Sequence, residues 1–241
     1  MSGFLFRPLP GLTIAALVAL AIAVGLGTWQ LQRRAEKHAM LAQIEARQVM
    51  AAVAVELLLP VGDYAIFRPA TATGTFLHKD EAYVSEARTN TGPTRPGVRV
   101  MTPFRLTGGD IILVDRGWVP LDARDPATRA DGQVAGVVTI EGAFRRSAPG
   151  SSFTPPPDLE ARTWFRRNAP DIAAALGFQL RSPLVFEATT RSAGGPEPLP
   201  TAVNIPDNHL NYALTWFSLG IVLVVVYLRY HMVQGRLGFR R

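Results

Sequence analysis

Long apolar runs stand at both ends of this chain, and between them the pattern breaks into short alternating stretches. No Asp, Glu, Lys or Arg lies between Arg7 and Arg33, and residues 11–29 are almost wholly apolar. The same is true between Asp207 and Arg229, across residues 208–228. A helix rises about 1.5 Å per residue, so about 20 residues cross a hydrocarbon core about 30 Å thick. Neither run carries Pro in its apolar body, and a continuous helix satisfies its own backbone hydrogen bonds in lipid. Transmembrane helices are therefore predicted over residues 11–31 and 208–228.

The first run is read as an uncleaved anchor. It outlasts the apolar core of a signal peptide and passes into a polar helical sequence, not a small-residue cleavage site. The tail, residues 229–241, is basic and free of acids, which places both it and residues 1–10 in the cytoplasm. Arg33, Arg34 and Lys37 pull the other way. The favoured topology puts residues 32–207 outside the cytoplasm.

Between the spans, residues 30–58 contain no Gly or Pro and read as continued helix, ended by Pro60 and Gly62. Strands are expected over residues 68–77, 81–87, 97–106, 110–119, 133–144 and 183–189, with Thr107-Gly108-Gly109-Asp110 as a hairpin turn. Pro170 opens and Gly177 closes a short helix over residues 171–176. Residues 147–158 and 191–206 are rich in Pro, Gly and Ser and read as loops. The fold class is thus membrane α+β: two transmembrane helices flanking a β-rich extracytoplasmic domain, its strands forming an antiparallel sheet or small barrel.

Composition narrows the chemistry. Net charge is +6, from 25 basic and 19 acidic residues. The basic residues are spread along the chain and flank the spans, so no nucleic-acid partner is expected. With no cysteine, disulfides and thiolate metal sites are excluded. The chain has no phosphate loop, HExxH or GxSxG, and no enzyme activity is expected. Asp115 and Arg116 read as a structural ion pair. His38, His78 and His231 read as solvated residues.

His209 differs, because it stands at the outer end of the second span. Helical spacing groups it with Tyr212, Ala213, Trp216 and Gly220. An ionisable residue at the edge of a span, beside aromatics, is a candidate site, and a neutral imidazole there can ligate haem iron. The alternative is a headgroup-level histidine bonded to water or Asn208. On the first span Ala15, Ala19, Ala23 and Gly27 recur every fourth residue, a stripe on which another helix can pack. Trp29 and Gln30 lie at a depth comparable with His209, so the two outer ends are expected to frame one cleft.

Together these features resemble the surfeit locus protein 1 family. Gly27, Trp29, Gln30 and Arg33 match its G-x-W-Q-x-x-R, with Arg34 as an additional arginine. Thr73-Gly74-Thr75-Phe76 is similar to its early strand, and residues 99–104 and 113–120 to its central signature. Thr163-Trp164-Phe165 precedes the short helix as in the family, and residues 208–217 resemble the motif that opens its second span. The resemblance implies a factor for assembly of cytochrome c oxidase that binds haem a transiently and presents it to the oxidase catalytic subunit. His209 is then the implied iron ligand, with Tyr212, Trp216, Trp29 and Gln30 lining the cleft. Haem a synthase and membrane lipid are further expected partners. The alternative is a haem-free scaffold that holds the oxidase subunit during assembly. No Arg- and Ser-rich stretch precedes the first span, so a bacterial cytoplasmic membrane, with the central domain periplasmic, is the expected location.

Overall fold

Two helices long and apolar enough to cross a membrane stand near the ends of the chain, Pro10–Gln48 and His209–Val233. A computed structural model describes residues 4–88, 94–148, 150–199 and 207–239. Its strands are β1 (Phe4–Phe6), β2 (Val53–Ala54), β3 (Pro69–Phe76), β4 (Ala82–Ser85), β5 (Gly97–Leu106), β6 (Ile111–Pro120), β7 (Val138–Arg145), β8 (Thr163–Trp164), β9 (Val185–Ala188) and β10 (Leu237–Phe239). The α-helices are α1 (Pro10–Gln48), α2 (Ala169–Leu176) and α3 (His209–Val233). Two units result, Met1–Gln43 with Val203–Arg241 and Ile44–Ala202. Part of the predicted return loop, residues 200–206, and the last two residues of the basic tail lie outside the described residues.

In the second unit five strands close on themselves. β3 pairs with β7, β7 with β9, β9 with β6, β6 with β5, and β5 returns to β3. Alternate residues point inward. Ala70, Ala72 and Phe76 of β3, Phe104 and Leu106 of β5, Ile112 and Val114 of β6, and Phe144 and Phe186 fill the interior. The opposite set, Met101, Leu113 and Val185, is covered by Trp164 and by Ala169 and Ile172 of α2. β6 is therefore buried on both faces, which is why its first four residues, Ile111–Val114, are all apolar. β3 changes partner from β7 to β5 at Gly74, the glycine of the early-strand motif.

Two expectations change. The ring is mixed, because β6 and β9 run parallel; the long connection through α2 makes that crossover possible. The helix after the first apolar run ends at Gln48, not near residue 58. Val53 and Ala54 instead pair in parallel with Ala70 and Thr71, and Val55 is fully buried in the barrel cluster. Burial of β-branched side chains outweighs a weak helix preference there.

The central signature of β6 is structural. A bulge sets Arg116 and Gly117 opposite Val100 alone, between the pairs Arg99–Trp118 and Met101–Asp115. Asp115 and Arg116 do not pair with each other, as neighbours on a strand point apart. Asp115 accepts from Arg99 and Arg167, each at 2.8 Å. Arg116 donates to Glu81 at 2.9 Å, and Arg129 donates to the other Glu81 oxygen. Burial opposes ionisation of Glu81, but the polar contacts of His78 and Arg129 and the charges of Arg129 and Arg116 outweigh it and hold the carboxyl at about 2. His78 is not a solvated residue. Its Nε2 donates to the Val134 carbonyl at 2.9 Å and its ring lies 5.4 Å from that of Phe76.

Gly117 has φ of +116°, and a Cβ there would lie 2.0 Å from the Glu197 carbonyl oxygen. Only glycine allows that segment to cross. Trp118 and Glu197 exchange backbone hydrogen bonds of 2.8 and 2.9 Å. The Trp118 indole N–H donates to the Glu86 carbonyl at 3.0 Å, and Arg88 lies over the ring at 5.0 Å.

Candidate functional site at the paired helices

α1 and α3 meet through a face that follows the 3.6-residue period of each helix. On α1 the covered or partly covered positions include Thr13, Ala16, Leu20, Ala23, Gly27, Gln30 and Arg34. Of the predicted small-residue stripe, only Ala23 and Gly27 lie on this face; Ala15 and Ala19 are exposed. Four residues turn a helix about 40° beyond a full circle, so a strict fourfold repeat drifts off the contact face.

The helices run antiparallel, as a ladder of pairs records. At one end the Leu9 N–H donates to His231 Nε2 at 3.3 Å, and His231 Nδ1 contacts the Tyr227 carbonyl at 2.9 Å. His231 is wholly buried, contrary to its reading as solvated, because the chain turns back after α3. β10 pairs with β1, and the rings of Phe6, Tyr227 and Tyr230 lie 6.3, 4.2 and 5.7 Å from the imidazole. Next come Thr13 and Tyr227, whose hydroxyls lie 2.7 Å apart, then Ala23 against Gly220. Phe217 packs on Gly27, where a Cβ would lie 2.5 Å from the ring.

Beyond Gly27 the character of the pairing becomes polar. Gln30 Oε1 lies 2.8 Å from His209 Nδ1. Asp207 Oδ1 accepts the backbone N–H of His209 at 3.1 Å. Its other oxygen meets His38 Nε2 at 2.8 Å and Arg34 Nε at 3.5 Å. The hydrogen bond from His38, the His209 N–H and the charges of His38 and Arg34 together hold the Asp207 carboxyl below the usual range against its desolvation.

The structure therefore brings together Gln30 and His209, with Trp216 partly buried on the same side of α3. It does not gather Trp29 or Tyr212, which are 50% and 57% exposed. Tyr212 follows His209 by three residues, and that step leaves it about 60° off the contact face. The arrangement around Asp207 was not anticipated. Its signal was present as an acidic residue just ahead of a helix start, a capping pattern. Among the described residues Nε2 of His209 has no hydrogen-bond partner, so one ring nitrogen stays available as a donor to a metal.

The family model for the SURF1 family matches residues 17–221, a range that includes both Gln30 and His209. The chain belongs to the SURF1 family. It is 34% identical to Surfeit locus protein 1 of Mus musculus over 221 residues, covering 84% of this chain and 70% of that protein. It is 32% identical to a SURF1-like protein of Monosiga brevicollis over 229 residues, 90% of this chain and 86% of the relative. A SURF1-like protein of Rickettsia conorii is 29% identical over 217 residues, 88% of each chain. Membership thus rests on most of the chain, from within the first apolar helix through the barrel strands into the second apolar helix.

Proposed function

We propose that this SURF1-family chain is a two-span membrane factor for assembly of cytochrome c oxidase, which takes haem a as cargo on His209 and passes it to the oxidase catalytic subunit. The role is non-enzymatic. In the proposed topology both termini face the cytoplasm of a bacterial cell and the barrel faces the periplasm. Haem a synthase is the natural donor of the cargo.

The observation that carries this reading is the imidazole of His209: partly buried at the start of an apolar helix, with one nitrogen held by Gln30 and the other unpaired. The donor chemistry fits haem iron, for which a neutral imidazole is a usual ligand. Trp216, partly buried on the His209 side of α3, offers an aromatic wall, and Arg34, whose Nε lies 3.5 Å from Asp207, stands at the same end of the helix pair. Nε2 of His209 would hold the iron, and Arg34 would offer positive charge to the carboxylate side arms.

The test is the absorption spectrum of the protein purified in mild detergent from cells that make haem a, beside His209→Ala. The expected result is a haem a spectrum in the parent protein that disappears in a folded variant. A haem-free parent protein from haem-replete cells would overturn the carrier role and leave a scaffold for the oxidase subunit.

A further inference from the structure

Resting on that haem-binding reading, we propose that Gln30 is the positioning residue of the site: it selects which nitrogen of His209 binds iron, and it keeps that bond weak enough for the cargo to leave. An amide oxygen only accepts hydrogen bonds. With Gln30 Oε1 at 2.8 Å from Nδ1, Nδ1 carries the proton and donates, so the lone pair is on Nε2. A histidine that ligates through one nitrogen generally donates its other N–H to a fixed acceptor, which sets tautomer, ring orientation and basicity.

The nature of the acceptor matters as much as its presence. A carboxylate would pull the Nδ1 proton strongly and make the imidazole a better donor, whereas a neutral amide does so weakly. The weaker pull of a neutral amide suits a cargo that must be handed on. Gln30 also comes from the other helix of the pair. It is the next contact-face residue after Gly27, whose bare Cα admits the Phe217 ring and sets the closeness of the helices at this level. Parting the helices here would remove the acceptor from Nδ1, so ligand strength is tied to helix closure.

The experiment adds haem a to the purified full-length protein in detergent and compares the parent with Gln30→Leu and Gln30→Glu. Affinity, reduction potential and the rate of haem loss to excess apomyoglobin are read in each. Gln30→Leu should weaken binding about 10- to 100-fold, as loss of an outer-shell partner does. Gln30→Glu keeps an acceptor of the same length; it should slow haem loss and favour the ferric form about tenfold, a potential lower by about 59 mV. Haem binding by the parent with both variants unchanged overturns the assignment of Gln30 and leaves the haem reading standing. A weakened Leu variant beside a Glu variant with unchanged potential overturns it too, since Gln30 would then act by packing alone. A parent that binds no haem overturns the haem reading itself.

Discussion

The ring of Phe217 occupies the space where a side chain at Gly27 would begin, 2.5 Å from an added Cβ. That contact lies between the apolar part of the helix pair and its polar end at Gln30 and His209. Gly27→Val should therefore force the helices apart, at a cost of about 1–3 kcal/mol for overpacking. The check is thermal unfolding of the purified protein in detergent, followed by helical circular dichroism. A transition unchanged from the parent would mean that the helix pair adjusts without loss.

Gly117 is the corresponding requirement in the barrel. Gly117→Ala puts an L side chain at φ of +116° and against the backbone of Glu197. The backbone strain alone is worth about 1–3 kcal/mol. A lower urea midpoint with the same slope is expected, together with altered fluorescence as the packing of Trp118 loosens. Full retention of stability would show that the crossing segment is not held there.

Glu81 makes stability depend on acid. Its carboxyl is lowered from 4.5 to about 2 in the folded protein. A depressed carboxyl stabilises the fold fully above the unfolded value, and that contribution fades as pH falls from about 4.5 through about 2. The shift corresponds to about 3 kcal/mol at neutral pH. Urea midpoints should fall across that window in the parent and fall less in Glu81→Gln. Glu81→Gln should also be less stable at neutral pH, because Arg116 and Arg129 lose their charge partner inside the protein.

Asp207 joins two functions, accepting the His209 N–H and meeting His38 across the pair. Asp207→Ala should loosen the first turn of α3 while leaving the barrel intact. Hydrogen exchange would show faster exchange of the His209 amide and unchanged protection in β5 and β6. Unchanged exchange at His209 would assign Asp207 to solvent.

Much of this molecule is legible in one dimension. Length and continuity of the apolar runs specify two helices able to cross a membrane, and alternation specifies the barrel strands to within about five residues, the widest gap being at β7, which starts at Val138 and not at residue 133. Both depend on local geometry. His209 and Gln30 stand out by position for the same reason. Their hydrogen bond, however, joins residues 179 apart, and the contact face that makes it follows a 3.6 period which the fourfold alanine repeat obscured. The split of Asp115 from Arg116, the partial burial of His78, the full burial of His231, the bulge and the strand at Val53–Ala54 likewise depend on partners far along the chain. Local pattern decides what each segment can become; long-range burial, and the need to satisfy every buried charge and backbone group, decides which neighbours it meets.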